Sequence, residues 1–560
     1  MTTRRIFIKT TGLATLATAL GCGDESGASA GGDALSADLG GGDASSADTA
    51  SEDAAVEDTA PLPELEDYVY DGPLGPEDLF QHGVASGDPL ATSVVLWTRV
   101  TQPGAEPVPV FWDVATDPEF TARVAAGWGE AAGGRDFTLK LIATGLAPAT
   151  TYYYRFRALG RTAPLGRTRT LPDGPTERVR LALGSCAEIQ TGWYHAYGHM
   201  GGRSDLDAVV FVGDYLYEYG LRAGRLRDTA PPHELTTLEH YRTRYAHYRR
   251  EPQLQEAHRQ HPWIVVWDDH EVANNSWRAG DSNGDTGEVF RARRDAGVAA
   301  WHEWMPCRTG ELARGEGGAS DAGVAIYRRF DFGDLVRLAV LETRLYGRDE
   351  PVNANNPVGV ELAERTLLGP QQEAWLDAEI SGATQRWVVL GQQIMMAPLT
   401  DGVSPINYDQ WDGYPAARQR VLDAASARAD LGLVVLAGDI HSSWGNDLPG
   451  TGYDGENGAV GVEFVTPGIA STFPTGLEAV VDVAKLANPH IKYGDVSHRG
   501  YVVVDLSRDS VRGTWFHVAD ANLEQSEVEP AATFVSDRLA PHLLPAATPD
   551  DVEAGPALAP

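Results

Sequence analysis

The sequence is poor in three features that define large classes of proteins. Only three cysteines, at positions 22, 186 and 307, occur in 560 residues, so a disulfide framework does not hold the fold together. Beyond the N-terminal segment no apolar run reaches the roughly 18 residues of a transmembrane helix. Basic residues number 45 against 79 acidic ones, a net charge of −34, whereas nucleic-acid backbones are bound by clustered Lys and Arg. A hydrophobic content of 42% then predicts a folded, acidic protein without a nucleic-acid partner.

Residues 1–22 have the features of a targeting segment. Arg4 and Arg5 precede Lys9 and the apolar stretch LATLATALG. This pattern resembles a twin-arginine export signal, with a general secretory leader as the alternative. The stretch ALGC resembles a lipoprotein cleavage box, so Cys22 is a candidate for lipid attachment, and cleavage at ATA or SGASA is the other interpretation. We expect export by the twin-arginine machinery to the periplasm or cell surface, with membrane contact only through a lipid on Cys22.

Two segments precede the main domain. Residues 23–71 are predicted to be a disordered linker, because residues 24–67 contain 13 acidic residues and no Lys or Arg and too little apolar surface to offset the entropy of ordering. Residues 72–172 are predicted to form an all-β, immunoglobulin- or fibronectin-like sandwich. Tyr152 and Tyr154 alternate at the period of a half-buried strand. We expect this β domain to pack on the main domain and to take no part in the chemistry.

From residue 178 to residue 525 the pattern becomes that of an α/β domain. Near-continuous apolar runs alternate with helical stretches such as EHYRTRYAHYRREPQLQEAHRQ. Runs of this kind are typical of strands that are covered on both faces. Ligands bind beyond the carboxyl ends of the strands in open α/β sheets, so we expect a functional site where the runs end. The five runs span residues 179–186, 208–217, 263–270, 386–393 and 431–441.

Each run ends in side chains that can bind a metal ion or transfer a proton. In chain order they are Cys186, Asp214, Tyr217, Asp268, Asp269, His270, Gln392, Gln393, Asp439 and His441. Taken singly they have ordinary explanations, since an Asp after Gly is often a turn or capping residue and a buried Cys is often a small hydrophobic residue. Their recurrence at five strand ends predicts one shared site.

The order of these motifs resembles that of the calcineurin-like metallophosphoesterases. The block G-D-x-x-Y is intact at residues 213–217, whereas D-x-H, G-N-H-E and G-H-x-H are replaced by G-S-C, D-D-H-E and G-D-I-H. With these changes the chain is similar to the PhoD-type alkaline phosphatases over residues 78–540. The resemblance rests on FQHGVASGDPLATSVVLWTRV, GSCA, GDYLYEYG, WDDHEVANN, RTLLGPQQEAWL, NYDQWDGYP and AGDIHSSW. It implies an α/β metallophosphatase sandwich, with sheets flanked by helices, that hydrolyses phosphate esters.

The altered blocks also imply an iron site. Cys186, Tyr217 and His441, together with a bridging Asp214, offer a thiolate, a phenolate, an imidazole and a carboxylate. Such an electron-rich set suits Fe³⁺ and does not suit Mg²⁺ or Ca²⁺.

A second site of oxygen ligands is implied beside the first. Asp214, Asp269 and Asp439 suit one or two Ca²⁺ ions, with Mn²⁺ or Mg²⁺ as second choices. Asn274 and Gln393 are further candidates for this site. Asp268 is a third candidate, either as a ligand of a second calcium or as a partner of His270.

The expected reaction is hydrolysis of phosphate monoesters, and of diesters, by a metal-activated hydroxide, which would serve phosphate acquisition. His270 and Asp214 are the predicted catalytic residues. His270 would stabilise developing charge or protonate the leaving oxygen, and Arg344 is a further candidate for phosphate contact. Thiolate catalysis by Cys186 ranks below this mechanism, because neighbouring carboxylates raise a thiol pKa unless a metal is bound.

Two other functions remain as alternatives. One is a phosphodiesterase or phospholipase D-like hydrolase of the same fold, which would differ in the mouth of the site. The loop DQWDGYP and the C-terminal segment 526–545 are predicted to set that mouth. Residues 526–560 as a whole are predicted to cover the active site and then to end in a disordered tail. The other alternative is a non-catalytic surface-binding lipoprotein, which the retained ligands at every strand end disfavour. We expect the protein to be a monomer.

Overall fold

The computed structural model describes residues 65–101, 104–308, 323–474, 476, 478–547 and 553–560. The predicted export signal at Arg4 and Arg5, the predicted lipid site Cys22 and most of the predicted linker lie outside these residues. Within the described ranges, none of the helices combines the length and the apolar character that crossing a bilayer requires.

Strands dominate the described fold. The strands β1 to β22 are, in order, Val84–Gly87, Ser93–Arg99, Val108–Ala115, Arg123–Ala131, Thr138–Thr144, Thr151–Ala158, Arg161–Thr162, Gly166–Arg169, Arg178–Gly184, Ala208–Phe211, Pro262–Val265, Arg328–Phe332, Val336–Val340, Trp387–Gly391, Gly432–Ala437, Ser443–Pro449, Ala459–Val465, Ile491–Asp495, Gly500–Ser507, Ser510–Val518, Val528–Asp537 and Ala540–Pro545. The helices α1 to α7 are His195–Gly201, Leu238–Tyr248, Pro252–Gln260, Gly287–Trp304, Gly369–Ser381, Pro415–Ser426 and Ala479–Ala487.

Two large sheets enclose the main core. One has ten strands in the order β22-β21-β20-β19-β9-β10-β11-β1-β2-β5, and the other has seven in the order β12-β13-β14-β15-β17-β16-β18. Strands β9, β10 and β11 are parallel in the first sheet, and β14 and β15 are parallel in the second. The five predicted runs therefore supply three strands to one sheet and two to the other, and the predicted α/β fold is confirmed.

The central strands are covered on both faces. Val389 and Val434 of the seven-stranded sheet join the core that also contains Val210 of the ten-stranded sheet. The intervening Val388 points to the opposite side and packs in a second cluster with Val421 of α6. Each fully buried side chain of this size contributes roughly 1.5–3 kcal/mol to folding. Burial on both faces explains why these strands read as continuous apolar runs.

The N-terminal β domain does not end at its own sheet. Strand β1 pairs with β2 antiparallel and with β11 of the main domain parallel, so β1, β2 and β5 extend the ten-stranded sheet. A five-stranded sheet of β4, β3, β6 and β7, with β8 paired to β6, forms the second layer. The Nε1–H of Trp97 also donates to the carbonyl of Glu303 at 2.8 Å. One continuous sheet thus joins the N-terminal β domain to the main domain, whereas the sequence predicted only packing between the two.

The C-terminal residues depart from the prediction. Strands β21 and β22 continue the edge of the ten-stranded sheet, so these residues are part of the sheet and not a cover above the strand ends. Residues 553–560 contact the body of the protein. The Ala559 N–H donates to Gln260 Oε1 at 2.8 Å, and Tyr153 OH donates to the Ala557 carbonyl at 2.7 Å. Ala559 is buried, so the chain end packs on the body, and a disordered tail stays a prediction.

Candidate metal centre

The loops after β9, β10 and β15 converge on one buried cluster. One ligand atom each of Cys186, Asp214 and His441 lies within 4.8 Å of the other two. Backbone hydrogen bonds join the loops, with Cys186 N–H donating to Gly213 O at 3.1 Å and Ala187 N–H donating to Asp214 O at 2.8 Å. The first two strands belong to the ten-stranded sheet and the third to the seven-stranded sheet, so this cluster joins the two sheets.

Four predicted ligands have a left-handed backbone. The φ angle is 59° at Cys186, 57° at Asp214, 66° at Asp439 and 55° at His441. Non-glycine residues adopt this conformation rarely, at a cost on the order of 1–3 kcal/mol each. Strain of this kind persists where the surrounding structure enforces it, and it gathers at functional sites. Its concentration at these strand ends supports a functional assignment.

Two glycines let the loops approach one another. Gly213 has a φ of 108°, and a Cβ atom there would lie 2.4 Å from the Cβ of Asp268. A Cβ atom on Gly438 would lie 2.3 Å from Ser185 Oγ. Both glycines precede an aspartate of the site, so the Gly-Asp pairs of the sequence allow a close packing that any side chain would block.

Tyr217 completes the first donor set. Its hydroxyl donates to Asp214 Oδ2 at 2.8 Å and lies 2.9 Å from His441 Nε2. Ser471 Oγ donates to the same hydroxyl at 2.9 Å. Together with Cys186, these groups bring a thiol, a phenol, an imidazole and a carboxylate into one cluster.

Carboxylate oxygens form a second set beside the first. One oxygen each of Asp268, Asp269 and Asp439 lies within 4.8 Å of the others, and a further group joins Asp214, Asp269 and His270. Asp214 is thus shared between the sulfur-containing group and the carboxylates. An assembly of this kind offers the hard oxygen ligands that Ca²⁺ prefers.

The electrostatics of the cluster fit bound cations. Burial, to which Asp269 adds, raises the pKa of Asp214 and Asp268 well above the ordinary value. Burial likewise raises the pKa of the Cys186 thiol, and Asp214 raises it further. Asp214 Oδ1 and Asp268 Oδ2 are buried and have no hydrogen-bond partner among the described residues. A cation bound here would compensate these atoms and release the thiol proton.

Arg344 lies fully buried within the carboxylates. It binds Asp268 through Nε, Asp409 through Nη1 at 2.6 Å and Asp439 through Nη2 at 2.5 Å. Burial opposes its charge, but these acids and Asp269 raise its pKa well above the ordinary value. The guanidinium is therefore occupied by carboxylates in this structure, and its contact with phosphate stays a prediction.

His270 has one partner that the sequence analysis did not single out. Its Nδ1 lies 2.7 Å from Glu218 Oε2, and its ring centroid lies 4.1 Å from that of Tyr217. Burial would lower the pKa of His270, but Glu218, Asp269 and Asp214 raise it well above 6.5. The signal for Glu218 was its place directly after Tyr217 in GDYLYEYG.

The two amide candidates differ in their surroundings. Asn274 Oδ1 is buried without a hydrogen-bond partner in the described part of the chain, while its N–H donates to Glu218 at 2.8 Å. Gln393 instead accepts from Thr343 Oγ1 at 2.6 Å and donates to the carbonyl of Trp267 at 2.7 Å. Its amide therefore braces the strand ends, whereas Asn274 keeps an oxygen for a ligand.

Glu271 is a second acid whose role was missed. Its carboxylate accepts the backbone N–H groups of Asp214 at 3.1 Å, Tyr215 at 2.6 Å and Asp268 at 2.8 Å. It thereby fixes the β10 and β11 loops against each other. Glu271 is the glutamate of the D-D-H-E motif, so the sequence draws attention to it. That it binds the backbone of two loops is visible only in the folded structure.

Comparison with protein families identifies the chain. The model for the PhoD-like phosphatases matches residues 181–515, and the model for their N-terminal domain matches residues 73–172. The chain belongs to the PhoD-like phosphatase family.

Two PhoD relatives extend the comparison. Alkaline phosphatase D of Bacillus subtilis (strain 168) is 39% identical over 445 residues, which cover 76% of this chain and 75% of the relative. A solved structure described as that of PhoD superposes with a TM-score of 0.79 at 34% identity, and the match covers 86% of this chain and 95% of that one. This PhoD-like chain is a phosphoric ester hydrolase of a metal-dependent family.

In this PhoD-like phosphatase a cavity of about 190 Å³ lies beside the first donor set. His441 forms part of its wall, with Phe473, Arg499 and Asn522 among the other lining residues. The Arg499 guanidinium is half-buried and lies 3.4 Å from Asn522 Oδ1. The cavity therefore adjoins one side of the candidate centre.

Proposed function

We propose that this chain is an exported, metal-dependent alkaline phosphatase that hydrolyses phosphate monoesters, and diesters as well, to supply phosphate. One observation carries the proposal. The thiol–phenol–imidazole cluster of Cys186, Tyr217 and His441 is continuous, through Asp214, with an all-oxygen cluster. Two donor sets of such different character suit two different cations side by side.

The residues present fit the metals expected of the family. Fe³⁺ suits the set that contains Cys186 and Tyr217, and one or two Ca²⁺ ions suit Asp268, Asp269 and Asp439, with Mn²⁺ and Mg²⁺ as second choices. When bound, the cations supply Lewis acidity to the phosphoryl group and activate water. Asn274 Oδ1 is the neutral oxygen that supplements the carboxylates.

His270 is the proposed acid that acts on the leaving group. Since Nδ1 is hydrogen-bonded to Glu218, Nε2 is the ring atom left for substrate. Although burial lowers the pKa of His270, Glu218, Asp269 and Asp214 raise it above its ordinary value. This favours the protonated ring, whose Nε2–H donates to the leaving oxygen or stabilises charge on it. Glu218 is the positioning residue that holds this protonation state and the ring orientation.

Cys186 is proposed as a ligand and not as a nucleophile. Burial and the adjacent Asp214 raise the pKa of the thiol, so the thiolate that attack would require is disfavoured unless a cation stabilises it. Hydrolysis of a phosphate ester by activated water needs no covalent intermediate on the protein.

Export is the remaining part of the proposal. Arg4, Arg5 and the following apolar stretch support passage through the twin-arginine machinery, to the periplasm or cell surface. A lipid on Cys22 would then be the membrane contact, and the body would act as a monomer.

Elemental analysis combined with chelation tests the proposal. Protein is folded and exported in a host with twin-arginine export, and is assayed on p-nitrophenyl phosphate and on bis-p-nitrophenyl phosphate before and after EGTA treatment. We expect iron near one equivalent together with calcium, and activity that EGTA removes and calcium restores.

Each of three other outcomes would contradict a different part of the proposal. Full activity with zinc or manganese alone would contradict the iron assignment and leave hydrolysis intact. Turnover of the diester alone would support the phosphodiesterase or phospholipase D-like alternative. Absence of both metal and activity would support the non-catalytic surface-binding lipoprotein.

A further inference from the structure

A second group of metal-binding side chains lies outside the centre. Asp495 ends β18, His498 follows in the connection to β19, and His517 lies near the end of β20. One ring nitrogen of each histidine and one carboxylate oxygen of Asp495 lie within 4.8 Å of one another. Strand β18 is the edge of the seven-stranded sheet and β20 belongs to the ten-stranded sheet, so this edge cluster of three residues bridges the two sheets.

Asp495 is held in place by the backbone that follows it. Its Oδ1 accepts the N–H groups of Ser497 at 3.0 Å and of His498 at 2.9 Å. Nδ1 of His498 lies 3.0 Å from Oδ2 and 3.1 Å from Oδ1, and an ion would replace this hydrogen-bonded pair. The carboxylate is therefore fixed in position, and Oδ2 faces an imidazole nitrogen.

His517 is oriented from its other side. Its Nε2 lies 3.2 Å from the buried Ser443 Oγ, and its Nδ1 has no hydrogen-bond partner among the described residues. Metal-bound histidines are commonly oriented by a hydrogen bond of this kind from the second ring nitrogen. Ser443 thus holds the His517 ring in place beside Asp495 and His498.

The spacing of the donor atoms fits a small transition-metal ion. Two ligand atoms at about 2.0–2.1 Å from a tetrahedral Zn²⁺ lie roughly 3.3 Å apart, close to the 3.0 Å between Oδ2 of Asp495 and Nδ1 of His498. The rings of His498 and His517 are nearly parallel, with centroids 4.9 Å apart, so one ring must turn to share an ion. The His498 side chain is 45% exposed and has room to do so.

Another histidine pair provides the contrast. The rings of His233 and His240 are 4.3 Å apart, closer than those of the edge cluster. They nevertheless form no metal-competent group with an acid or a cysteine among the described residues. Proximity of two imidazoles alone therefore does not produce the arrangement seen at Asp495.

We propose that Asp495, His498 and His517 form a separate site for a divalent transition-metal ion, for which two imidazoles and one carboxylate best suit Zn²⁺. The bound ion cross-links the β18–β19 connection to β20. That connection also contains Arg499, which lines the cavity beside His441. His498 also lines this cavity, so the ion stabilises one of its walls.

Zinc stoichiometry tests the site in the metal-loaded protein. Each protein is equilibrated with a small excess of Zn²⁺, passed through a desalting column and analysed for zinc by mass spectrometry. We expect the wild type to retain one equivalent more than His498→Asn/His517→Asn. The matched control His233→Asn/His240→Asn removes two histidines from the other pair and should retain the wild-type amount. Equal zinc content in the wild type and His498→Asn/His517→Asn would overturn the site. Zinc that also enters the buried centre adds equally to both proteins, so the difference in zinc content between them still reports on the edge cluster.

Two further measurements guard against misfolding of the double variant. The thermal midpoint of the wild type should rise with Zn²⁺, and that of Asp495→Asn, which keeps both histidines, should not rise by the same amount. Crystals of the wild type soaked in Zn²⁺ should show an anomalous peak between Asp495, His498 and His517. Soaked crystals without that peak would overturn the proposal whatever the variants do.

Discussion

Two buried carboxylate sites of this protein differ in how their negative charge is balanced by protein side chains. In the N-terminal β domain, the fully buried Asp113 has three arginine partners: Arg155 and Arg157 at 2.9 Å and Arg123 at 3.6 Å. In the candidate metal centre, Arg344 is shared among several acids, and Asp214 Oδ1 has no hydrogen-bond partner among the described residues.

The difference separates a structural acid from a functional one. A buried charge is tolerated when it is paired and hydrogen-bonded, and the side chains around Asp113 meet that condition. The carboxylates of the centre exceed the protein cations beside them, and the backbone there is strained at Cys186, Asp214, Asp439 and His441. An excess of buried negative charge held in a strained frame is what the proposed metal centre requires, since bound cations would supply the balancing positive charge.

Replacing the shared carboxylate should have the largest effect. Asp214→Asn removes the charge that both donor sets use, and we expect kcat/KM to fall on the order of 10³-fold, because metal-ion catalysis supplies several kcal/mol of transition-state stabilisation. Metal content should fall with it. Activity near the wild-type level in Asp214→Asn would contradict the assignment of the centre.

The corresponding Asp-to-Asn change at Asp113, in the N-terminal β domain, should lower the stability of the protein and leave its activity intact. Asp113→Asn leaves three arginines without their carboxylate, which we expect to lower the free energy of unfolding by about 3 kcal/mol. The metal content should be unchanged and the remaining folded protein should be fully active. Denaturant unfolding beside an activity assay measures both, and a loss of metal in Asp113→Asn would remove the distinction between the two sites.

Chelation should make the stability of the centre depend on pH. Burial, with Asp409 adding to it, raises the pKa of Asp439 from 3.8 to about 6 when no metal is present. A carboxyl group with a raised folded-state pKa binds its proton more tightly in the folded state, so the free energy of unfolding should fall as pH rises from about 4 to about 6. A shift of this size corresponds to roughly 3 kcal/mol.

Thermal unfolding of chelated and metal-loaded protein across that pH range measures this effect. The metal-loaded form should lose less stability, because the cation favours the ionised carboxylate. If the stability of the chelated and metal-loaded forms changed equally with pH, protein side chains alone would account for the charge balance of the carboxylates in the centre.

The smallest effect is expected from the positioning acid of His270. Glu218→Gln keeps the shape but removes the charge that raises the pKa of His270, so we expect kcat to fall about 10–100-fold, as for other outer-shell partners. Since the protonated ring is required, the alkaline limb of the pH–rate profile should move to lower pH. A fall in kcat with an unmoved profile would assign Glu218 a purely structural role.

Much of the catalytic unit was predictable because its patterns are local. The apolar runs identify β9, β10, β11, β14 and β15, since strands covered on both faces contain few polar residues. Side chains with metal-binding chemistry follow directly after these runs, so the motifs indicated which residues to examine and which family they resemble.

The contacts that escaped prediction join residues far apart in the sequence. Glu271 binds the backbone of Asp214, 57 positions away, and Arg344 reaches Asp439, 95 positions away. Nothing in the sequence near Arg344 indicates that carboxylates from three other loops would surround it. The C-terminal strands were missed for the same reason, because β21 pairs with β20 only in the context of the whole sheet.

By itself the sequence determined the α/β pattern, the family resemblance and the residues at the strand ends, because periodicity and motif spacing are properties of neighbouring residues. Only the tertiary structure decided which strands each of the two sheets contains, that the N-terminal domain shares one of them, and that one arginine lies among the carboxylates. Those features depend on burial and on Coulomb interactions between distant segments, and the energies of both are set only when the loops meet.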